Sequence, residues 1–141
     1  MRPQLKELIG KRVHFIGIGG AGMSGLARIA LSHGITVSGS DAKDSSVVIA
    51  LSALGATVST SHDAKNVDGS DLVVYSNAIS QSNPERVRAQ ELNLPILTRA
   101  AALAMLMSES KSVAVAGTHG KTTTSSMLAV ALQACAADPS F

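Results

Sequence analysis

Two glycine-rich runs hold the residue types best suited to chemistry in this sequence, and both suit phosphate. The first is Gly17-Ile18-Gly19-Gly20-Ala21-Gly22, a G-x-G-x-x-G that follows an apolar run and opens a helical pattern. In such a loop the first glycine makes a tight turn, the second lets the backbone approach a diphosphate, and the third lets helix and strand pack closely. Free N–H groups and the positive end of the helix dipole then face the anion. The competing account is a tight turn that binds nothing. The second run is Gly117-Thr118-His119-Gly120-Lys121-Thr122-Thr123. It departs from G-x-x-x-x-G-K-[ST], because the first glycine would fall where Val115 stands and the chain has Gly117 instead. The chemistry survives the departure. Backbone N–H groups over 118–123 can cradle phosphates, Lys121 can reach the β- and γ-phosphates, and the Thr122 hydroxyl can ligate Mg2+. A glycine turn with a chance lysine is the alternative.

Other polar residues sit where these loops would need help. Asp41 lies 19 positions after Gly22, at the end of the second apolar run. An acidic residue there bonds a ribose hydroxyl in dinucleotide-binding folds; capping the next helix is the competing role. Ser76, Asn77 and Ala78 end a further strand-like run, either as a ligand-contacting loop or as an ordinary turn. Arg99 is able to pair with a phosphate or carboxylate bidentately, or is a plain surface arginine. Of the four histidines, only His119 lies in a loop of this kind. His14 reads as a satisfied strand residue, His33 as a helix C-terminus, and His62 as part of a polar turn. No two have metal-ligand spacing, and Cys135 stands alone.

The elements that must position these residues alternate. Strands are expected over 13–19, 35–41, 56–60, 71–78, 94–98 and 111–117, and helices over 22–34, 45–55, 84–92, 99–107 and 122–135. Leu103, Met105, Leu106 and Met107 read as core filler. Alternation predicts an α/β fold, a doubly wound, mostly parallel Rossmann-like sheet over residues 1–108. Residues 109–141 then read as the first strand, phosphate loop and helix of a truncated P-loop-like ATPase domain. The final helix supports truncation. Its run Met127-Leu128-Ala129-Val130-Ala131-Leu132 is apolar on every side, which belongs inside a domain, so self-association through this tail is expected.

Composition narrows the classes. The chain has 141 residues, 45% hydrophobic and 16% charged, with a net charge of +2 and 2% aromatics. That balance argues against a nucleic-acid partner or a membrane surface. The polar start lacks the apolar middle of a signal peptide, and one cysteine permits no internal disulfide, so a cytoplasmic setting fits.

Gly-Thr-His-Gly-Lys-Thr-Thr resembles the ATP loop of the Mur ligase family, and the first loop, rich in glycine through Gly25, resembles its UDP-sugar loop. The resemblance runs from about Val13 to Phe141. It implies ATP-dependent ligation in peptidoglycan synthesis, with ATP and Mg2+ as cofactors. His119 and the run Met23-Ser24-Gly25 favour the branch that adds L-alanine to UDP-N-acetylmuramate over the murein-peptide recycling branch. It further implies UDP-sugar contacts at Gly17, Gly19, Gly20, Ala21, Gly22, Met23, Ser24, Asp41, Ser76, Asn77, Ala78 and Arg99. ATP is expected at Gly117, Thr118, His119, Gly120, Lys121, Thr122 and Thr123, with Lys121 catalytic and Thr122 on the metal. The implied reaction proceeds through an acyl phosphate, with the alanine site outside this chain. An NAD(P)-dependent oxidoreductase domain is the rival from a different class.

Overall fold

Short runs rich in Val and Ile become strands because each can bury both faces in a parallel sheet. A computed structural model describes residues 5–108 and 111–139. The strands are β1 (Arg12–Ile16), β2 (Thr36–Ser40), β3 (Thr57–Ser59), β4 (Leu72–Tyr75) and β5 (Ile96–Thr98). They form one parallel sheet in the order β3-β2-β1-β4-β5. The order reverses between β1 and β4, so a crevice opens at their carboxyl ends.

Helices α1 (Ala21–Ser32), α2 (Ser46–Ala53), α3 (Pro84–Glu91) and α4 (Arg99–Met107) connect and cover the strands, with 3-10 turns at Leu5–Leu8 and Ala64–Val67. Val13, Phe15, Val37, Leu72 and Val74 share one core with Met23, Leu26, Ala27 and Ala30 of α1, Leu51 of α2, and Ala102 and Leu106 of α4. Ile16 and Val73 pack in a second cluster with Val67 and with Ala89 of α3. Each fully buried Leu, Ile or Val contributes about 1.5–3 kcal/mol. Strand residues alternate between faces, and the alternates on β1 and β2 include polar residues: His14, Ser38 and Ser40 are buried.

The helix ends follow their sequences. The Ser45 hydroxyl accepts from Val48 N at 3.4 Å, and Asn83 Oδ1 accepts from Glu85 N at 2.9 Å, with Pro84 in the first turn. Thr98 Oγ1 accepts from Ala101 N at 3.2 Å. Gly34, at φ 74°, stops α1. Among the described residues no helix is long and apolar enough to cross a membrane.

Residues 111–139 form a separate compact unit. Its one regular element is α5 (Lys121–Ala134). The expected sixth strand over 111–117 is not formed. A strand needs a neighbouring strand to take its N–H and C=O groups; this segment joins no sheet among the described residues and is irregular and largely exposed. Met127 and Val130 are 69% and 65% exposed on α5.

Candidate functional site

The sharp exit from β1 builds the first site. Gly17 adopts φ 78°, a left-handed conformation that favours glycine, and ends the strand at Ile16 rather than Gly19. A side chain at Gly17 would come within 3.3 Å of Ser76 Cβ and 3.5 Å of Ile79 Cδ1. The loop after β1 and the loop after β4 therefore touch at the crevice. Ser76 N donates to Ile16 O at 3.1 Å.

The end of β2 holds the loop from the other side. Ser40 O accepts from Gly17 N at 2.8 Å and from Ile18 N at 3.0 Å. Asp41 Oδ2 accepts from Gly19 N at 2.9 Å, and Oδ1 accepts from Lys43 N at 3.0 Å. Asp41 thus clamps the glycine loop, and Ser45, not Asp41, caps α2. A side chain at Gly19 would meet Asp41 Oδ2 at 2.9 Å, which is why the position is bare.

Gly20 precedes α1 with no side-chain cap. The N–H groups of Gly20, Met23 and Ser24 are used within the turn, on Gly17 O and Gly20 O. Those of Ala21 and Gly22 bond no described group, so two donors stand open at the positive end of the helix. Arg99 lies over them. A Cβ on Gly22 would sit 2.9 Å from Arg99 Nη1 and 3.0 Å from its Cδ. The Arg99 side chain is half-buried, and it forms no ion pair with a described residue. A free guanidinium beside two open N–H groups is an arrangement for an anion with several oxygens.

The structure gathers Gly17, Gly19, Gly20, Ala21, Gly22, Asp41, Ser76 and Arg99 at this edge. Asn77 and Ala78 are exposed in the loop after β4. Met23 and Ser24 differ. Met23 is 1% exposed in the core, and Ser24 Oγ donates to Ala21 O at 3.1 Å. Their side chains shape α1 rather than face the crevice. Gly25 has open space around it, so close packing does not explain that glycine.

The second unit has its own loop. Gly120 adopts φ 80° and precedes α5. Lys121 Nζ curls back and donates to Gly117 O at 2.6 Å and to Thr118 O at 3.4 Å. Thr118, His119, Thr122 and Thr123 are exposed. Among the described residues no cluster of three or more His, Cys, Asp or Glu is placed to hold a metal.

One buried polar cluster beside the site was not foreseen from the sequence. Glu85, in the first turn of α3, is fully buried. Its Oε2 accepts from Ser40 Oγ at 2.6 Å and lies 2.9 Å from His62 Nδ1; its Oε1 accepts from Asn66 Nδ2 at 2.7 Å. His14 Nε2 lies 3.5 Å from Oε1, an ion-pair distance outside good hydrogen-bond geometry, so that nitrogen has no hydrogen-bond partner. Burial pushes the Glu85 carboxyl up, but the contacts from His14, Ser40, Asn66 and His62 outweigh it and hold the pKa at about 2. The signal in the sequence was weak: polar His14, Ser38 and Ser40 in otherwise apolar strands.

Comparison with known proteins places these features in a family. The model of the Mur ligase family, catalytic domain, matches residues 12–111. The chain is 57% identical over 135 residues to the UDP-N-acetylmuramate–L-alanine ligase of Saccharopolyspora erythraea, covering 93% of this chain and 28% of that protein. It is 58% identical to the corresponding ligase of a Nocardioides species, covering 92% of this chain and 29% of that one. Among solved structures, the UDP-N-acetylmuramate–alanine ligase of Thermotoga maritima aligns with a TM-score of 0.81 at 37% identity, over 87% of this chain and 29% of that chain. A murein peptide ligase from Psychrobacter arcticus aligns at 0.84 with 34% identity, over 90% of this chain and 27% of that one. The chain thus spans a little over a quarter of the length of these relatives.

Proposed function

This chain belongs to the Mur ligase family, and on that premise we propose that it carries the UDP-sugar unit and the ATP phosphate loop of a ligase joining L-alanine to UDP-N-acetylmuramate. The observation that carries this is Arg99 over Gly22, beside the unbonded N–H groups of Ala21 and Gly22. These three groups bind the diphosphate. Gly17, Gly19 and Gly20 keep the approach clear. Asp41 holds the loop, and its remaining lone pairs are open to a ribose hydroxyl. Ser76, Asn77 and Ala78 border the sugar.

In the second unit, Gly117, Thr118, His119, Gly120, Lys121, Thr122 and Thr123 take the phosphates of ATP. Lys121 exchanges the carbonyls of Gly117 and Thr118 for β- and γ-phosphate oxygens. Thr122 would offer its hydroxyl oxygen, a hard donor suited to Mg2+. Bound Mg2+ supplies charge neutralisation on the phosphates. In the proposed reaction the carboxylate of the sugar's lactyl group takes the γ-phosphoryl of ATP. The alanine amine then displaces phosphate from the acyl phosphate, and ADP is the other product. Lys121 offsets charge on the transferring group. No residue here is assigned to L-alanine, and the ligation itself belongs to the whole ligase. The setting is the cytoplasm, where ATP and both substrates meet.

The alanine branch is favoured over murein-peptide recycling by the 57% and 58% identities to alanine ligases. An oxidoreductase leaves the Lys121 loop without a role. Side-by-side calorimetric titration of the chain with UDP-N-acetylmuramate, UDP, NADH and ATP tests the proposal. Binding of both uridine compounds without NADH is expected. Binding of NADH with no response to UDP would overturn it.

A further inference from the structure

Behind the glycine loop, on the side of the sheet covered by α3, lies the buried carboxylate of Glu85. Residues far apart in the chain meet there: Ser40 at the end of β2, His62 and Asn66 after β3, and Glu85 in α3. None of them borders the crevice assigned above. Their common link to it is Ser40, which is fully buried and faces both ways. Its hydroxyl donates to Glu85 Oε2, while its carbonyl takes the N–H groups of Gly17 and Ile18.

The proton arrangement in this cluster follows from its chemistry. An ionised carboxylate only accepts, and Ser40 has one hydroxyl proton, which goes to Glu85. His62 Nδ1 lies 3.0 Å from Ser40 Oγ and 2.9 Å from Glu85 Oε2, so it must carry a proton to bond either. Ser40 is therefore gripped by an acceptor at its proton and by a donor at its lone pair. Asn66 Nδ2 ties Glu85 Oε1 to Ser61 O, at 2.7 Å and 2.9 Å, and so fixes the carboxylate in turn. A serine held this way cannot swing its backbone without breaking charge-assisted bonds.

We propose that Glu85 is a positioning residue of the diphosphate site, acting through Ser40 to set the backbone of Gly17 and Ile18. This rests on the assignment of the glycine loop to a UDP-sugar diphosphate. A loop that must present open N–H groups within a few tenths of an ångström gains from such support, and Glu85 supplies it with a charge that never meets the ligand.

The test uses the full chain, labelled with nitrogen-15, as wild type, Glu85→Gln, Glu85→Asp and Ser40→Ala. A core variant away from the Glu85 cluster, Leu51→Ala, is the control for lost stability, with melting temperatures of all variants measured alongside. Two signals are read: the amide resonances of Gly17 and Ile18 without ligand, and the affinity for UDP-N-acetylmuramate. Glu85→Gln and Ser40→Ala should move both amides and weaken binding by roughly tenfold, the size of one charge-assisted hydrogen bond. The double variant should be little worse than either single one, because both cut the same path. Glu85→Asp should recover part of the loss, and Leu51→Ala should leave the two amides in place. Unchanged Gly17 and Ile18 resonances in folded Glu85→Gln, with wild-type affinity, would overturn the proposal. Should Glu85→Gln fail to fold, Ser40→Ala decides alone, since it removes only a hydroxyl. A wild-type chain that ignores the UDP-sugar would overturn the assigned ligand, while the ligand-free amides would still decide the coupling.

Discussion

A missing side chain does the most at Gly22. Any Cβ there meets the Arg99 guanidinium at 2.9 Å, and a branched one would also cover the N–H groups of Ala21 and Gly22. Gly22→Val should therefore abolish UDP-N-acetylmuramate binding, seen as loss of the ligand-induced rise in melting temperature. Gly25 gives the contrast three residues on. Nothing lies within 4 Å of its missing Cβ, and it sits inside α1. Gly25→Ala should leave binding intact and add about 0.5–1 kcal/mol of stability by helix propensity, measured by urea unfolding. Lys121→Ala should remove the response to ATP and leave the response to the UDP-sugar unchanged. Asp41 was expected to meet a ribose or cap a helix; Ser45 caps α2 instead, and Asp41 holds the glycine loop with lone pairs left for a ribose. Residue type and spacing brought it to the right edge, but only coordinates reveal that its oxygens already hold Gly19 and Lys43.

Between elements, the contact of α3 with β2 carries a pH dependence. Glu85 has its pKa lowered from 4.5 to about 2 in the folded chain. Its contribution to stability is thus complete above about pH 4.5 and is lost as pH falls through 2, an effect on the order of 3 kcal/mol. Unfolding titrations across that acid window should show a steeper loss for the wild type than for Glu85→Gln. A second test lies on β2 itself. A Cβ on Gly39 would approach Ile18 Cδ1 and Phe15 O, both at 2.7 Å. Gly39→Ala should cost about 1–3 kcal/mol, as overpacking does, read from the shift in urea midpoint. Most of the elements were legible because their signals are local: Gly34 after an apolar helix face, Pro84 after Asn83, short Val-rich runs. The strand expected over 111–117 was not, because a strand is a property of a pair, and this segment joins no sheet among the described residues despite its suitable residue types. Glu85 escaped for a related reason. Residues 14, 40, 62, 66 and 85 become a cluster only when α3 crosses the sheet, and no spacing in the sequence records that crossing.

At the scale of the molecule the two units are distinct in kind. Residues 5–108 have a two-sided core around five strands, whereas residues 111–139 hold one helix with Met127 and Val130 exposed. Met127 and Val130, three apart on α5, lie on one helix face, and a contiguous exposed apolar patch favours association. Removing residues 111–141 should reduce self-association in sedimentation and leave UDP-N-acetylmuramate binding unchanged; a loss of binding would mean the first site depends on the second unit. Everything proposed for the first unit turns on the crevice at the carboxyl ends of β1 and β4 taking the diphosphate of a UDP-sugar. Amide resonances of the nitrogen-15-labelled chain during titration with UDP-N-acetylmuramate test it most directly. The largest shifts are expected at Ala21 and Gly22, smaller ones at Ser76 to Ala78, and none over Gly117 to Thr123. Shifts confined to Gly117 to Thr123, or a crevice that responds to NADH and not to the UDP-sugar, would contradict it.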